Sequence, residues 1–409
     1  MQWSKVLTSA LAAAGLVVLS PMLRDDTHAA TKFSTLHVLP GYSYAGVTLD
    51  SAGNLYGATS GGGVYGQGTV FELTRGSDGK WTEQVLHDFA GGNDGASPYA
   101  GPVFDEAGDL YGTTRYGGGS GNGTAFELTP GSNGQWTERV LYQFTGGADG
   151  SQPWSGLVLD SSGNLYGTTS AGGNPTDCAY SSCGVVFELS PSANGGWTEK
   201  VLHAFDGKDG GSPLASLVFD QRGNLYGTTE WDSVYLGGTV FELAHDSNGG
   251  WTEHVLHRFS RRNDGGNSEA GLIFTAAGHL YGTTLWGGNF GYGVVFELTH
   301  VPNGRWIEHV LHDFTGGADG ANPLAGLILD GVGNLYGTAS ESVGGNGTVF
   351  ELTLDAKGKW TELVLHQFDI GRGGGNPNAG LIFDAEDNLY GTTSDDHSHR
   401  AGTVFEIAP

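Results

Sequence analysis

The sequence predicts an all-β fold, a seven-bladed β-propeller with four strands per blade. Three observations predict it. A segment of the form Gly-Asn-Leu-Tyr-Gly-Thr-Thr recurs along the 409 residues, with its tyrosines at Tyr56, Tyr111, Tyr166, Tyr226, Tyr281, Tyr336 and Tyr390. Each unit holds four short runs rich in β-branched and aromatic residues, bounded by Gly, Asn, Ser and Asp clusters. The fourth run is missing from the last unit and stands alone ahead of the first. A repeat of this length with four strands per unit is the sequence signature of a propeller.

The tyrosine spacings are 55, 55, 60, 55, 55 and 54 residues, and the long one contains an insertion with both cysteines. In the third copy the expected strands are Gly156 to Asp160, Leu165 to Thr169, Gly184 to Leu189 and Trp197 to Phe205. The fourth strand, of the form Trp-Thr-Glu-x-Val-Leu-His-x-Phe, starts at Trp81, Trp136, Trp197, Trp251, Trp306 and Trp360. The partial copy Phe33 to Leu39 carries His37, which matches His87, His203, His257, His312 and His366. This N-terminal strand is expected to complete the last blade, removing a free sheet edge. A β-solenoid would need no such circular closure. With 73 glycines and 10 Trp, 16 Tyr and 19 Phe, the composition suits many strands and tight turns, and no Gly-X-Y period suggests collagen.

Residues 1–30 read as a signal peptide ahead of one domain, 31–409, whose first residues 31–39 form the closing strand. Lys5 supplies the positive start, Val6 to Leu19 the apolar stretch, and Ala29 or Ala30 the cleavage site. No cysteine follows that stretch, so no lipid anchor is expected, and no C-terminal sorting tail is seen. A secreted, periplasmic or extracellular location follows. The net charge of −26 argues against nucleic acid and anionic membranes as partners, and no other stretch is long and apolar enough to span a bilayer. The chain is expected to be a monomer. Cys178 and Cys183 are expected to form a local disulfide, since two thiols alone make a poor metal site.

The run Gly-Gly-x-Asp-Gly-x-x-Pro-x-Ala-Gly-Leu-x-x-Asp-x-x-Gly-Asn-Leu-Tyr-Gly-Thr-Thr, followed by Gly-Thr-Val-Phe-Glu-Leu, resembles the GloVer tandem-repeat family of exported bacterial proteins with various anchoring devices. The resemblance covers nearly all of the chain beyond residue 30. It implies an exported repeat protein and supplies no catalytic residues.

Several attractive side chains recur in every copy, or in all but one, and read as scaffold. These are the third-strand glutamates (Glu72, Glu127, Glu188, Glu242, Glu297, Glu351 and Glu406) and the fourth-strand histidines. The aspartates of the Gly-Gly-x-Asp-Gly loops, Asp94, Asp149, Asp209, Asp264 and Asp319, fit loop hydrogen bonding, with calcium as the sharper alternative. No cofactor is otherwise indicated.

Function is expected where the copies differ. Naming the strands a to d from the axis outward, the d-to-a and b-to-c connections share one face, which varies, while the a-to-b and c-to-d turns are uniform. Just before strand a the aligned residues are Tyr44, Tyr99, Trp154, Leu214, Glu269, Leu324 and Asn378. The b-to-c loops add Arg115, Tyr116, Trp231, Asp232, Tyr235 and Trp286. Aromatics around a concave mouth suit the C–H face of a sugar ring; packing within the loops or channel is the plainer role. The expected ligand set is Tyr44, Tyr99, Trp154, Trp231, Tyr235, Trp286, Arg115 and Tyr116. Glu269 is the best catalytic candidate, being the only carboxylate in its ring, with Asp232, His397 and His399 weaker. Asp395, Asp396, His397 and His399 form a weak metal candidate. The leading expectation is a binding protein for a glycan or cell-surface polymer. The alternatives are a polysaccharide lyase or glycoside hydrolase at the same mouth, with Arg115 or Arg262 holding an acidic sugar, and a protein-interaction platform.

Overall fold

The computed structural model describes residues 31–173, 178, 183–302, 304–343, 345–369, 374–395 and 401–409. They form seven four-stranded antiparallel sheets. Blade 1 runs a Thr48–Leu49, b Leu55–Thr59, c Thr69–Arg75 and d Trp81–Asp88. Blades 2 to 6 repeat this order. Blade 7 takes a, b and c from Ile382–Phe383, Leu389–Thr393 and Thr403–Ala408, and its d strand is Lys32–Val38. Lys32 pairs with Ala408 and Val38 with Thr403. The Leu39 amide donates to the Gly402 carbonyl at 2.8 Å. Among the described residues no helix is long and apolar enough to cross a membrane.

Strand a is shorter than the sequence suggests, Val158–Leu159 in the third blade rather than Gly156 to Asp160. The cause is convergence at the axis. There six of the seven chains accept hydrogen bonds from the neighbouring blade, blade 1 having Ala58 in place of the donor threonine. The strand b threonines Thr113, Thr168, Thr228, Thr283, Thr338 and Thr392 donate to carbonyls of the next blade, those of Ser155, Ala215, Ala270, Ala325, Ala379 and Ala45 respectively.

Aromatic contacts join blade to blade. Phe89, just after strand d of blade 1, meets Phe126 on strand c of blade 2 edge-on at 5.2 Å. Equivalent pairs join Phe144 to Phe187, Phe205 to Phe241, Phe259 to Phe296, Phe314 to Phe350 and Phe368 to Phe405. Each buried Phe contributes about 1.5–3 kcal/mol, and a good aromatic pair about 0.5–1.5 kcal/mol more. Further out, the first Trp of strand d packs on the strand b Tyr of the preceding blade, as Trp136 does on Tyr56 and Trp81 on Tyr390. The glycine of Leu-Tyr-Gly-Thr-Thr is needed because a Cβ at Gly57 would lie 2.5 Å from the Phe71 ring.

Six of the seven recurring glutamates of strand c accept from the strand b tyrosine, while Glu188 accepts from Ser190 and Tyr166 turns to Asp160. Tyr56 donates to Glu72 at 2.8 Å and Tyr390 to Glu406 at 2.9 Å. Burial, then the Glu72 and Asp50 carboxylates, hold the Tyr56 phenol far above its usual range. Cys178 and Cys183 are joined in a disulfide, and both are buried against the junction of blades 3 and 4.

Candidate functional site at the channel mouth

The d-to-a and b-to-c connections do share a face, because short bridges join them. Ala96 pairs with Tyr116, Ser151 with Ala171, Gly211 with Trp231, Gly266 with Trp286, Ala321 with Glu341 and Gly375 with Asp395. These bridges hold two rings of side chains around the axis. The inner ring is the set before strand a, and all seven members line one cavity of about 430 Å³. The outer ring is the residue after strand b: Ser60, Arg115, Ser170, Glu230, Leu285, Ser340 and Ser394. Each of these donates its backbone N–H to the carbonyl two residues before the inner-ring residue of its blade, as Arg115 does to Ser97 and Glu230 to Ser212.

One arc of the inner ring is aromatic. Tyr44 stacks on Tyr99 with ring centroids 5.0 Å apart, and Tyr99 leans on Trp154 at 4.5 Å. The Arg115 guanidinium lies 3.9 Å from the Trp154 ring centroid, 5.2 Å from that of Tyr99 and 4.8 Å from that of Tyr116. Its Nη2 donates to Gln152 Oε1 at 3.4 Å. Thus five members of the expected ligand set, Tyr44, Tyr99, Trp154, Arg115 and Tyr116, form one continuous group. Tyr44 keeps 37% of its surface exposed, while Tyr99 and Trp154 are half-buried. Burial, then the neighbouring Tyr99, pushes the Tyr44 phenol up.

Two blades further round, Glu269 also lines the cavity. Burial, with a contribution from Glu230, pushes its carboxyl up to about 7. Burial likewise raises Glu230, against an opposing pull from Arg261. Sequence comparison found Glu269 and missed Glu230. The signal was available: in the outer ring only Arg115 and Glu230 are charged. What sequence spacing does not reveal is that an outer-ring residue of one blade faces the inner-ring residue of the next.

The remaining expected residues lie elsewhere. Trp231 does not line the cavity. It packs over Gly207, Gly211 and Cys183, with its Nε1 3.3 Å from Ser212 Oγ. Tyr235 and Trp286 are 55% and 44% exposed on the loops beyond the cavity wall. Asp232 is a scaffold residue: its side chain is fully buried, ion-paired to Arg258 at 3.1 Å, and accepts from the Tyr235 amide at 2.9 Å. Of the blade 7 cluster, Asp395 lies near enough to Tyr44 to act on its phenol. Asp396, His397 and His399 lie outside the described residues. Arg262 is exposed and off the cavity wall. The loop aspartates are engaged by protein groups. Asp149, for example, accepts from the Thr145 amide at 2.8 Å and Tyr142 at 3.1 Å. A second cavity of about 490 Å³, at the seam of the closing strand and blade 1, is lined by Lys32, Arg75 and Lys80 and contains none of the candidate residues.

The sequence profile described as the Gloeobacter/Verrucomicrobia repeat matches residues 23–232 and 216–409. The chain belongs to the Gloeobacter/Verrucomicrobia repeat family. No curated protein matches it. Solved structures similar to this family member include an oxidoreductase of Thermus thermophilus named as a glucose dehydrogenase, 14% identical with a TM-score of 0.45. Two further glucose dehydrogenases are 13% and 14% identical, with TM-scores of 0.44 and 0.41. Each comparison covers 92% of this chain and 99% of the other. At these scores the similarities carry no argument about chemistry.

Proposed function

We propose that this protein is an exported binding protein that takes a glycan, or another extracellular polymer with sugar-like faces, at the channel mouth. The observation that carries the reading is the arc Tyr44–Tyr99–Trp154 with Arg115 above it, in the same cavity as Glu269. The cavity volume falls within the ordinary range of small-ligand sites, and mixed aromatic and polar walls are the usual lining of such sites. Aromatic faces take C–H groups, and the arginine and carboxyls take hydroxyls. Export is supported by the reading of residues 1–30 and by the disulfide, which suits an oxidising compartment.

One observation favours a second reading, an enzyme acting on the same polymer. A carboxyl held near 7 beside another carboxyl is the setting of a general acid or base. A glycan array followed by an assay for new reducing ends separates the two. Binding without release supports the binding protein. Release that is lost in Glu269→Gln supports the enzyme. No binding and no release, with Trp154→Ala indistinguishable from the parent throughout, sinks both.

A further inference from the structure

Five of the seven blade junctions gather the same kind of side chains away from the channel. A His or Tyr near the end of strand d meets the Asp of the following loop and the third residue, Glu, of strand d in the next blade. In His87–Asp94–Glu138 and His203–Asp209–Glu253, one polar atom from each residue lies within 4.8 Å of the others. At three junctions the His or Tyr engages the aspartate: His87 Nε2 lies 3.0 Å from Asp94, His203 Nε2 2.8 Å from Asp209, and the Tyr142 hydroxyl donates to Asp149 at 3.1 Å. At the other two, His257 and His312 stand 3.6 Å from Asp264 and Asp319, too far for a hydrogen bond. The glutamate is left over. Oε1 of Glu138, Glu199, Glu253, Glu308 and Glu362 is in every case buried and without a hydrogen-bond partner, as is Oε1 of Glu83 at the closing seam; only the five have an aspartate of the junction loop beside them. A carboxylate oxygen buried next to a second carboxylate is strongly disfavoured. A proton resolves the conflict by turning one acceptor into a donor.

We propose that these five glutamates are protonated in the folded ring and share the proton with the aspartate of their junction, so that the seams between blades tighten in acid and loosen in alkali. Junction 2/3 favours a proton over a metal ion. Tyr142 replaces the imidazole there, yet Glu199 keeps the same orphaned oxygen beside Asp149. The two other junctions lack the acid pair. At the closing seam the chain after His37 has no Gly-Gly-x-Asp-Gly loop, and His37 bonds Glu83 directly at 2.9 Å. At junction 6/7 Phe33 stands at the glutamate position and stacks flat on His366 at 3.7 Å.

Burial, with the junction aspartate adding to it, holds Glu138, Glu199 and Glu362 up at about 7. Glu253 and Glu308 reach about 7 for the same reasons, although His203, Arg258 and His257 pull them down and Asp206 adds to the rise at Glu253. His312, facing Glu362 across its junction, is itself held low by burial. Each glutamate ionises at a higher pH in the ring than in the unfolded chain. Its stabilising contribution is therefore complete below about 4.5 and is lost as the pH rises through about 7.

The test compares the purified protein with Glu138→Gln/Glu199→Gln/Glu253→Gln by thermal unfolding at pH 5 and pH 8.5, with and without EDTA. Glutamine donates without needing a proton. The parent should lose several degrees between the two pH values, and the triple variant should lose clearly less. An equal loss in both overturns the proposal. So does a divalent metal that copurifies with the parent, whose removal lowers its melting temperature and leaves the variant unchanged. If the variant does not fold, infrared spectra of the folded parent decide. A carboxylic-acid C=O band that disappears near pH 7 supports the shared protons, and its absence at pH 6 overturns them.

Discussion

Trp154 occupies a position that six other blades fill with different side chains, and this irregularity gives it meaning. Its ring is half-buried, leaned on by Tyr99 and covered by Arg115. Replacing it with Ala should weaken glycan binding by about 1–3 kcal/mol in titration calorimetry, with little change in melting temperature, because it is half-buried at the mouth and belongs to none of the buried clusters between blades. Trp197→Ala should do the reverse. That ring packs on Tyr111 across the seam of blades 2 and 3, so its loss should lower unfolding free energy by about 2–4 kcal/mol while leaving affinity unchanged. The inner ring could be read from the sequence because the chain supplies its own seven-fold alignment. The same alignment does not show where Trp231 places its ring. Its backbone bridges Gly211, and a site with no side chain at 211 or 207 lets the indole fold down onto the loop. Only the three-dimensional packing against an insertion unique to blade 3 could reveal that.

At the scale of elements, the closing strand was legible from counting: six Trp-Thr-Glu strands for seven blades, and one orphan run at the start. Strand a was not, because its length depends on neighbouring blades and not on its own residues. Deleting Lys32–Val38 would leave strand Thr403–Ala408 with a free edge and remove the stack of Phe33 on His366. The truncated protein should melt well below the parent in calorimetry and form dimers or larger species in gel filtration, as unprotected edges do. A truncated form with the parent's melting temperature and a monomeric profile would contradict this role. The disulfide is a lesser element. Its cysteines are five residues apart, so reduction should cost less than the roughly 3 kcal/mol expected for a 15-residue loop, seen as a small shift in denaturant midpoint.

For the whole molecule, the ring has no privileged starting blade. Lys32 and Ala408 sit opposite each other in one antiparallel pair, the geometry that the other blades join with a short c-to-d turn such as Asp355–Gly358. A circular permutant that joins Pro409 to Thr31 through such a turn, opened between two other blades, should unfold in one cooperative transition and keep the Trp154-dependent binding. Loss of both would mean that the closing strand does more than complete a sheet.

Closure also sets an order in time. Lys32 is made long before its partner Ala408, so at about 5–20 residues per second the first strand waits roughly 20 to 75 seconds for the edge it will cover. Blades 1 to 6 can assemble locally as they emerge, whereas blade 7 cannot exist until Ala408 has been made. A chain cut short before that point therefore keeps an unmated first strand and never becomes a ring. The same pairing that seals the finished protein marks every unfinished copy as sticky, and so exposes it to the chaperones and proteases that remove such chains.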